Sequence, residues 1–193
     1  MTKIYLASKS PRRSELLRLL GFDFEVLVRD VDETLLCNEL PLPAGLRLSR
    51  LKADAVKDEV NNGVIIAADT LVVSGDEILG KPVDAEHARS MLTFLSGKTH
   101  KVITAYCLEN ADSGVVISDY EKTEVTFREL SAEEINEYIK TGSPFDKAGG
   151  YGIQDSFGAR FVSKINGCYY NVMGLPISKI YYQLQSLLQT NLN

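Results

Sequence analysis

The sequence predicts a mixed α/β fold, with helices packed on one twisted sheet. Three observations carry that expectation. Stretches of strand character and stretches of helical periodicity alternate from one end to the other. The continuous apolar run Val64 to Ala68 has the pattern of a central strand covered on both faces. No internal repeat or low-complexity linker divides the 193 residues, a length that suits one sizeable domain or two very small ones, and a single domain over 1–193 is expected.

Each element has its own justification. Ile4 to Ala7 reads as a short buried strand, followed by a loop and a helix from Pro11 to Leu20 that Ser10 caps and Gly21 closes. Phe22, Phe24, Val26 and Val28 alternate with Asp23, Glu25 and Leu27, a strand pattern. An acidic, irregular stretch follows at Asp30, Asp32 and Glu33. Pro41 and Pro43 introduce a helix to about Val60 with Leu48, Leu51 and Ala55 on one face, stopped by Asn61-Asn62-Gly63. The strand at Val64 continues through Asp69-Thr70 into Leu71-Val72-Val73, turns at Ser74-Gly75-Asp76 and returns as Glu77-Ile78-Leu79. Asp84 caps a helix in which Ala88, Met91, Leu92 and Leu95 recur at helical spacing before Gly97. Lys101 to Glu109 and Gly114 to Phe127 read as strands, and Ser131 with Glu134 forms a capping box for a helix ending at Gly142. Residues 143 to 176, rich in glycine and aromatics, predict short strands and tight turns. An amphipathic helix from Ile177 to about Leu188 comes last.

Composition narrows the partners. The formal net charge of −5 argues against general attraction to nucleic acid or acidic lipid, so any anion site must be a local gathering of cations. The apolar runs are too short to span a bilayer, and no signal-peptide core follows Met1-Thr2-Lys3. A cytoplasmic protein is expected, with no membrane and no nucleic-acid partner. Cys37, Cys107 and Cys168 are odd in number and lack CxxC spacing, which fits unpaired thiols better than a disulfide framework or a zinc site. His87 falls in a first helical turn and His100 in a loop, so the two histidines make no clustered metal site. A homodimer is admitted, although no distinct interface stripe marks one.

Two anomalies point to chemistry. Arg12 and Arg13 lie in the first turn of a helix, where each cation opposes the dipole at a cost of about 0.3–1 kcal/mol. With Ser8 and Ser10 on the same strand-to-helix loop, the pair reads as a phosphate cradle at the carboxyl end of the first strand, or else as two solvated arginines. Asp69 ends a run of five apolar residues, so it stands at a strand end or partly buried, and needs a cation, a metal or hydrogen bonds. It could ligate Mg²⁺, orient a water or merely cap a turn. Lys52 and Lys81 could reach a phosphate, and Glu33 could be a second oxygen ligand, but each also reads as an ordinary surface residue. The string Ser96-Gly97-Lys98-Thr99 is not a P-loop, because Leu92 takes the first glycine position and a helix precedes it.

Taken together, "LASKSPRRSELL", "AADTLVV", "LGKPVDAEHARSML", "LSGKTHKV", "TEVTFREL" and "DKAGGYGIQ…INGCYYNVMGLP" resemble the Maf family of nucleoside triphosphate pyrophosphatases, in the family's order from Ile4 to about Leu184. The resemblance implies an elongated mixed sheet flanked by helices with a deep central cleft, similar to inosine triphosphate pyrophosphatases. It also implies cleavage of a nucleoside triphosphate substrate between the α- and β-phosphates, with a divalent cation, Mg²⁺ or Mn²⁺. By position, Ser8, Arg12 and Arg13 would hold phosphate, Asp69 would be the catalytic acid residue that accepts a proton, and Lys52 and Lys81 would be the catalytic cations. Glu33 would stand near the metal with Asp69. Gln154, Thr70 and Arg12 resemble the residues that mark the branch acting on dTTP and UTP, with modified pyrimidine nucleotides as further candidate substrates. Two departures stand out: Lys9 where a small residue is common, and Asp155 after Gln154 where glycine is common. The family's association with septum formation and division arrest supplies the alternative, a nucleotide-binding regulator with little turnover.

Overall fold

A computed structural model describes residues 2–189. The first strand, Ile4–Leu6 (β1), is buried throughout, and Pro11–Leu19 (α1) follows it. The helix starts there because extended Ser10 accepts the Arg13 N–H through its side chain while Pro11 supplies a fixed φ at the first position. Glu25–Val26 (β2) is all that forms of the strand expected over residues 22–28. Both of its residues are exposed, so no buried face extends the pairing beyond Tyr5 with Glu25 and Leu6 with Val26. Pro41–Lys57 (α2) buries Ala44, Gly45, Leu48, Ser49, Ala53 and Val56. That stripe corrects the expected face, since Leu51 and Ala55 are half-buried and only flank it.

Val64–Ser74 (β3) runs without a break through Asp69-Thr70, turns over Gly75-Asp76 and pairs antiparallel with Glu77–Leu79 (β4). Ala85–Leu95 (α3) begins where Asp84 accepts the His87 N–H at 2.7 Å. Thr99–Asn110 (β5) and Val116–Phe127 (β6) are adjacent long strands, and Ala132–Lys140 (α4) has both halves of the Ser131–Glu134 capping box. His100, expected in a loop, lies inside β5 and is 1% exposed. The glycine- and aromatic-rich segment keeps the expected tight turns and one short strand and adds two short helices. It forms 3₁₀ turns at Ser143–Asp146 and Ala148–Gly150, a one-turn helix at Gly158–Phe161 (α5), a strand at Val162–Asn166 (β7) and a short helix at Tyr169–Met173 (α6). Ile177–Gln189 (α7) completes the described chain.

Among the described residues the sheet has seven strands, in the order β2-β1-β3-β5-β6-β7 with β4 beside β3. β1 is parallel to β2 and β3, whereas β3–β4 and β6–β7 are antiparallel, so the sheet is mixed. The chain divides into two compact units, one of Met1–Asp69, Thr104–Glu121 and Gly174–Asn193, the other of Thr70–Ile103 and Lys122–Met173. In the first, Tyr5 and Ala7 pack with Ala53, Val56 and Val60, and with Ile65, Ala67 and Cys107; the three alanines let α2 lie close to the sheet. In the second, Ala88, Leu92 and Leu95 of α3 meet Ile135, Tyr138 and Ile139 of α4 around Phe127, Tyr151 and Phe161. No helix among the described residues is long and apolar enough to cross a membrane.

Candidate active site

Strand parity delivers the central acid of the first unit. Ile65, Ala67 and Asp69 alternate along β3 and so share a face. Ile65 and Ala67 pack in one cluster with Ala53 and Val56 of α2, which carries Asp69 to the same helix two residues later. Lys52 stands four residues before Val56, on that helix's inner stripe. Its Nζ lies 2.6 Å from Asp69 Oδ1 and 2.6 Å from Glu33 Oε2. The Asp69 side chain is 9% exposed and that of Lys52 14%, while Glu33, from an irregular loop, remains 56% exposed. Asp69 therefore sits inside a strand rather than at its end, and Lys52 supplies the counter-ion that such burial demands.

The arginine pair sits on the loop between β1 and α1. Ala7 N–H donates to the Ile66 carbonyl at 2.8 Å, fixing where this loop leaves the sheet. Ser10 N–H donates to Ser8 Oγ at 3.2 Å. Arg13 folds back on the same hydroxyl, with Nη1 3.0 Å from Ser8 Oγ, and its Nε donates to the Gly174 carbonyl at 2.9 Å. Solvation is thus not what tolerates a guanidinium at a helix start. The protein's own acceptors hold it there. Burial lowers the Arg13 pKa, the charges of Asp69 and Glu33 oppose that shift, and Arg12 adds to it. These charges share one electrostatic environment: Arg12, Arg13 and Lys52 outnumber Asp69 and Glu33 in a chain whose net charge is −5. Lys9 turns outward instead and pairs with exposed Asp30 at 2.5 Å.

Three further candidates belong to the second unit. Thr70 follows Asp69 on β3 and is half-buried. Lys81 is exposed between buried Pro82 and Gly80, whose carbonyl accepts the Gly149 N–H at 2.9 Å. Gln154 is half-buried, and its Nε2 donates to Asp155 Oδ1 at 3.1 Å. Around it lies a polar group that sequence reasoning missed. Lys147, 8% exposed, places Nζ 2.6 Å from the Ser143 carbonyl, 2.6 Å from Asp146 Oδ1 and 3.3 Å from Asp155 Oδ2. Only the Asp-Lys-Ala-Gly-Gly string could have flagged it, since a buried lysine between turns leaves no periodic trace. Ser96-Gly97-Lys98-Thr99 closes α3 and enters β5, with Ser96 Oγ accepting the Leu130 N–H at 2.8 Å, as its rejection as a P-loop requires.

A metal would find oxygen donors in Glu33 and Asp69, two carboxylates brought to one ammonium. Among the described residues no group of three or more His, Cys, Asp or Glu side chains could hold an ion. Such a donor set fits Mg²⁺ or Mn²⁺ that takes its remaining ligands from substrate phosphates and water, and does not fit an all-protein cage.

The model of the family described as Maf-like protein matches residues 3–187. The dTTP/UTP pyrophosphatase of Syntrophomonas wolfei is 48% identical over 179 residues, 93% of this chain and 94% of that protein. The dTTP/UTP pyrophosphatase of Aquifex aeolicus is 47% identical over 185 residues, 96% of this chain and 95% of that one. Among solved structures, a HAM1 protein from Coxiella burnetii superposes with a TM-score of 0.53 at 14% identity, covering 96% of this chain and all of that one, a likeness of fold.

Proposed function

The chain belongs to the Maf family, and on that premise we propose that it is a nucleoside triphosphate pyrophosphatase, hydrolysing dTTP and UTP to the monophosphate and pyrophosphate. Modified pyrimidine nucleotides fall within the same reading. The relatives' printed activity supports the substrate class. The observation that carries the chemistry is a buried carboxylate, Asp69, held on Lys52 within the field of the Arg12–Arg13 loop.

Ser8, Arg12 and Arg13 bind the phosphates, with guanidinium forks matched to phosphate oxygens. Because Arg13 already rests on Ser8 and Gly174, it holds the loop's shape as well as lending charge. Lys52 and Lys81 offset the charge that grows on the leaving pyrophosphate. Asp69 orients the attacking water toward the α-phosphorus and accepts its proton, with Lys52 fixing the carboxylate's direction. Glu33 and Asp69 would hold the divalent cation, which supplies positive charge for the phosphate oxygens and for activating water. Arg12, Thr70 and Gln154 select the base; one carboxamide can donate to a pyrimidine carbonyl and accept from its N3–H. The matched span works as one catalytic domain on a free nucleotide in the cytoplasm.

Incubation with dTTP or UTP and Mg²⁺ or Mn²⁺ tests the reading. The expected products are monophosphate and pyrophosphate in equal amounts. Orthophosphate with a nucleoside diphosphate would refute the assigned bond, and tight nucleotide binding without turnover would refute the enzyme.

A further inference from the structure

We infer that Asp155 is a positioning residue for base selection: it takes one N–H of the Gln154 carboxamide and so fixes the amide with its oxygen facing the base. The inference rests on the reading above, in which Gln154 contacts the base. It concerns one of the two residues at which this sequence departs from the family pattern, the one that follows Gln154.

Within the second unit both oxygens of the carboxylate have partners, although the side chain is 21% exposed. Asp155 Oδ1 accepts from Gln154 Nε2 at 3.1 Å. Oδ2 accepts from Tyr138 Oη at 3.1 Å and from Ser143 Oγ at 2.5 Å, and lies 3.3 Å from Lys147 Nζ. The backbone is held as well: Asp155 N–H donates to the Gly152 carbonyl at 3.0 Å, and Ala159 N–H donates to the Asp155 carbonyl at 2.8 Å. Two glycines make the room. A Cβ on Gly152 would stand 2.8 Å from Asp155 Oδ2, and one on Gly158 would stand 2.0 Å from the Gly152 carbonyl oxygen.

A carboxylate paired with a lysine offers only acceptors. The reversed amide would set Gln154 Oε1 against a carboxylate oxygen with no proton between them, so one orientation is selected. Among the described residues Gln154 Oε1 is then a fully buried acceptor without a partner, so a base reaches it only when its cover shifts locally on binding. Uracil and thymine then bring an N3–H that satisfies it, and the second Nε2 hydrogen is left for a base carbonyl. Cytosine brings an unprotonated N3, which sets lone pair against lone pair. A glycine in place of Asp155 would leave the amide able to turn.

Kinetics of UTP and CTP hydrolysis by wild type and Asp155→Asn test this, because asparagine can face Gln154 with either a donor or an acceptor. The kcat/KM ratio of UTP to CTP should fall by about 3- to 10-fold, the worth of one hydrogen bond. The change should appear mainly in KM, and it should vanish in a Gln154→Ala background. A merely structural role would slow both nucleotides alike and leave the ratio unmoved, which would overturn the inference. If the variant does not fold, NMR of the intact wild-type protein decides. The Gln154 side-chain amide should exchange with solvent much more slowly than exposed glutamines, and equal exchange would overturn the pairing. Wild type inactive on both nucleotides would instead overturn the parent reading, and the exchange measurement would still judge the Asp155–Gln154 contact.

Discussion

Lys52→Met removes one ammonium and keeps most of the stem's packing. That ammonium lies 2.6 Å from both Asp69 Oδ1 and Glu33 Oε2, so its loss acts twice. Asp69, 9% exposed, becomes a buried carboxylate without its counter-ion, and breaking a buried pair from one side costs about 3–5 kcal/mol. Glu33, 56% exposed, turns to water and forfeits at most about 1 kcal/mol. The charge of Arg13, which Asp69 feels, offsets part of the damage and brings the expected cost to about 2–4 kcal/mol. Asp69→Asn is gentler, at about 1 kcal/mol, because an amide of the same shape replaces the carboxylate and Lys52 keeps Glu33. The double variant buries no charge at this point and should therefore cost less than the two singles together, by about 1–3 kcal/mol. Urea unfolding at pH 7 followed by circular dichroism gives all three values, with constant slopes as the check on two-state behaviour. Single costs that add to within about 0.5 kcal/mol would refute the coupling. They would also remove the structural ground for giving Lys52 and Asp69 a joint catalytic role.

Asp69→Asn should lower pyrophosphate release by about 10²–10⁴-fold, the contribution of a positioned base, while calorimetry shows nucleotide affinity largely retained; a rate near wild type would take Asp69 out of the mechanism. Arg12→Ala should weaken binding and turnover together, reducing kcat/KM by about 10- to 100-fold, and unchanged kinetics would count against the phosphate cradle. Stability should respond to pH through His100, which burial pushes down to about 4 from an ordinary 6.5. Protonation would leave a ring N–H at Nδ1, which is buried without a partner among the described residues, while Nε2 meets Tyr151 Oη at 2.7 Å. The folded value lies below the unfolded one, so this stability is intact above about pH 6.5 and is lost as pH falls toward 4, with a slope of about 1.4 kcal/mol per pH unit. Urea titrations between pH 7 and 4.5 should show the His100→Gln variant losing that part of the slope; equal slopes would refute the assignment.

What could be foreseen from the sequence divides along physical lines. β3 and its hairpin were legible because an apolar run and a Ser74-Gly75-Asp76 turn are local signals, and the observed strand keeps both. The starts of α1, α3 and α4 were legible for the same reason, each having a side-chain cap within three residues of its first turn. The inner face of α2 was not, because Ala44, Gly45, Ser49 and Ala53 are buried for close approach rather than for apolar bulk. In residues 143–176 the tight turns and one short strand were legible, whereas the helices Gly158–Phe161 and Tyr169–Met173 were not, since glycines and aromatics serve turns, strands and short helices alike. Buried charges such as Lys147, or Glu109 facing Arg50 at 3.2 Å, have no local signature at all.

The candidate site combines both kinds of information. Arg12, Arg13 and Asp69 stood out because each violates a local preference, a cation at a positive helix end or an acid in an apolar run. Lys52 and Glu33 violate nothing and read singly as surface residues. Lys52 becomes the partner of Asp69 only through tertiary parity, when the Ile65–Ala67–Asp69 face of β3 meets the stripe of α2 that bears it, and Glu33 reaches the same ammonium from its loop. A local anomaly in sequence therefore marks where a compensating charge must arrive, and the fold decides which residue brings it. Asp155 obeys the same logic from the other side: an acid next to the amide proposed to read the base is an anomaly, its compensation is Lys147 with Tyr138 and Ser143, and its proposed consequence is the direction of a single carboxamide.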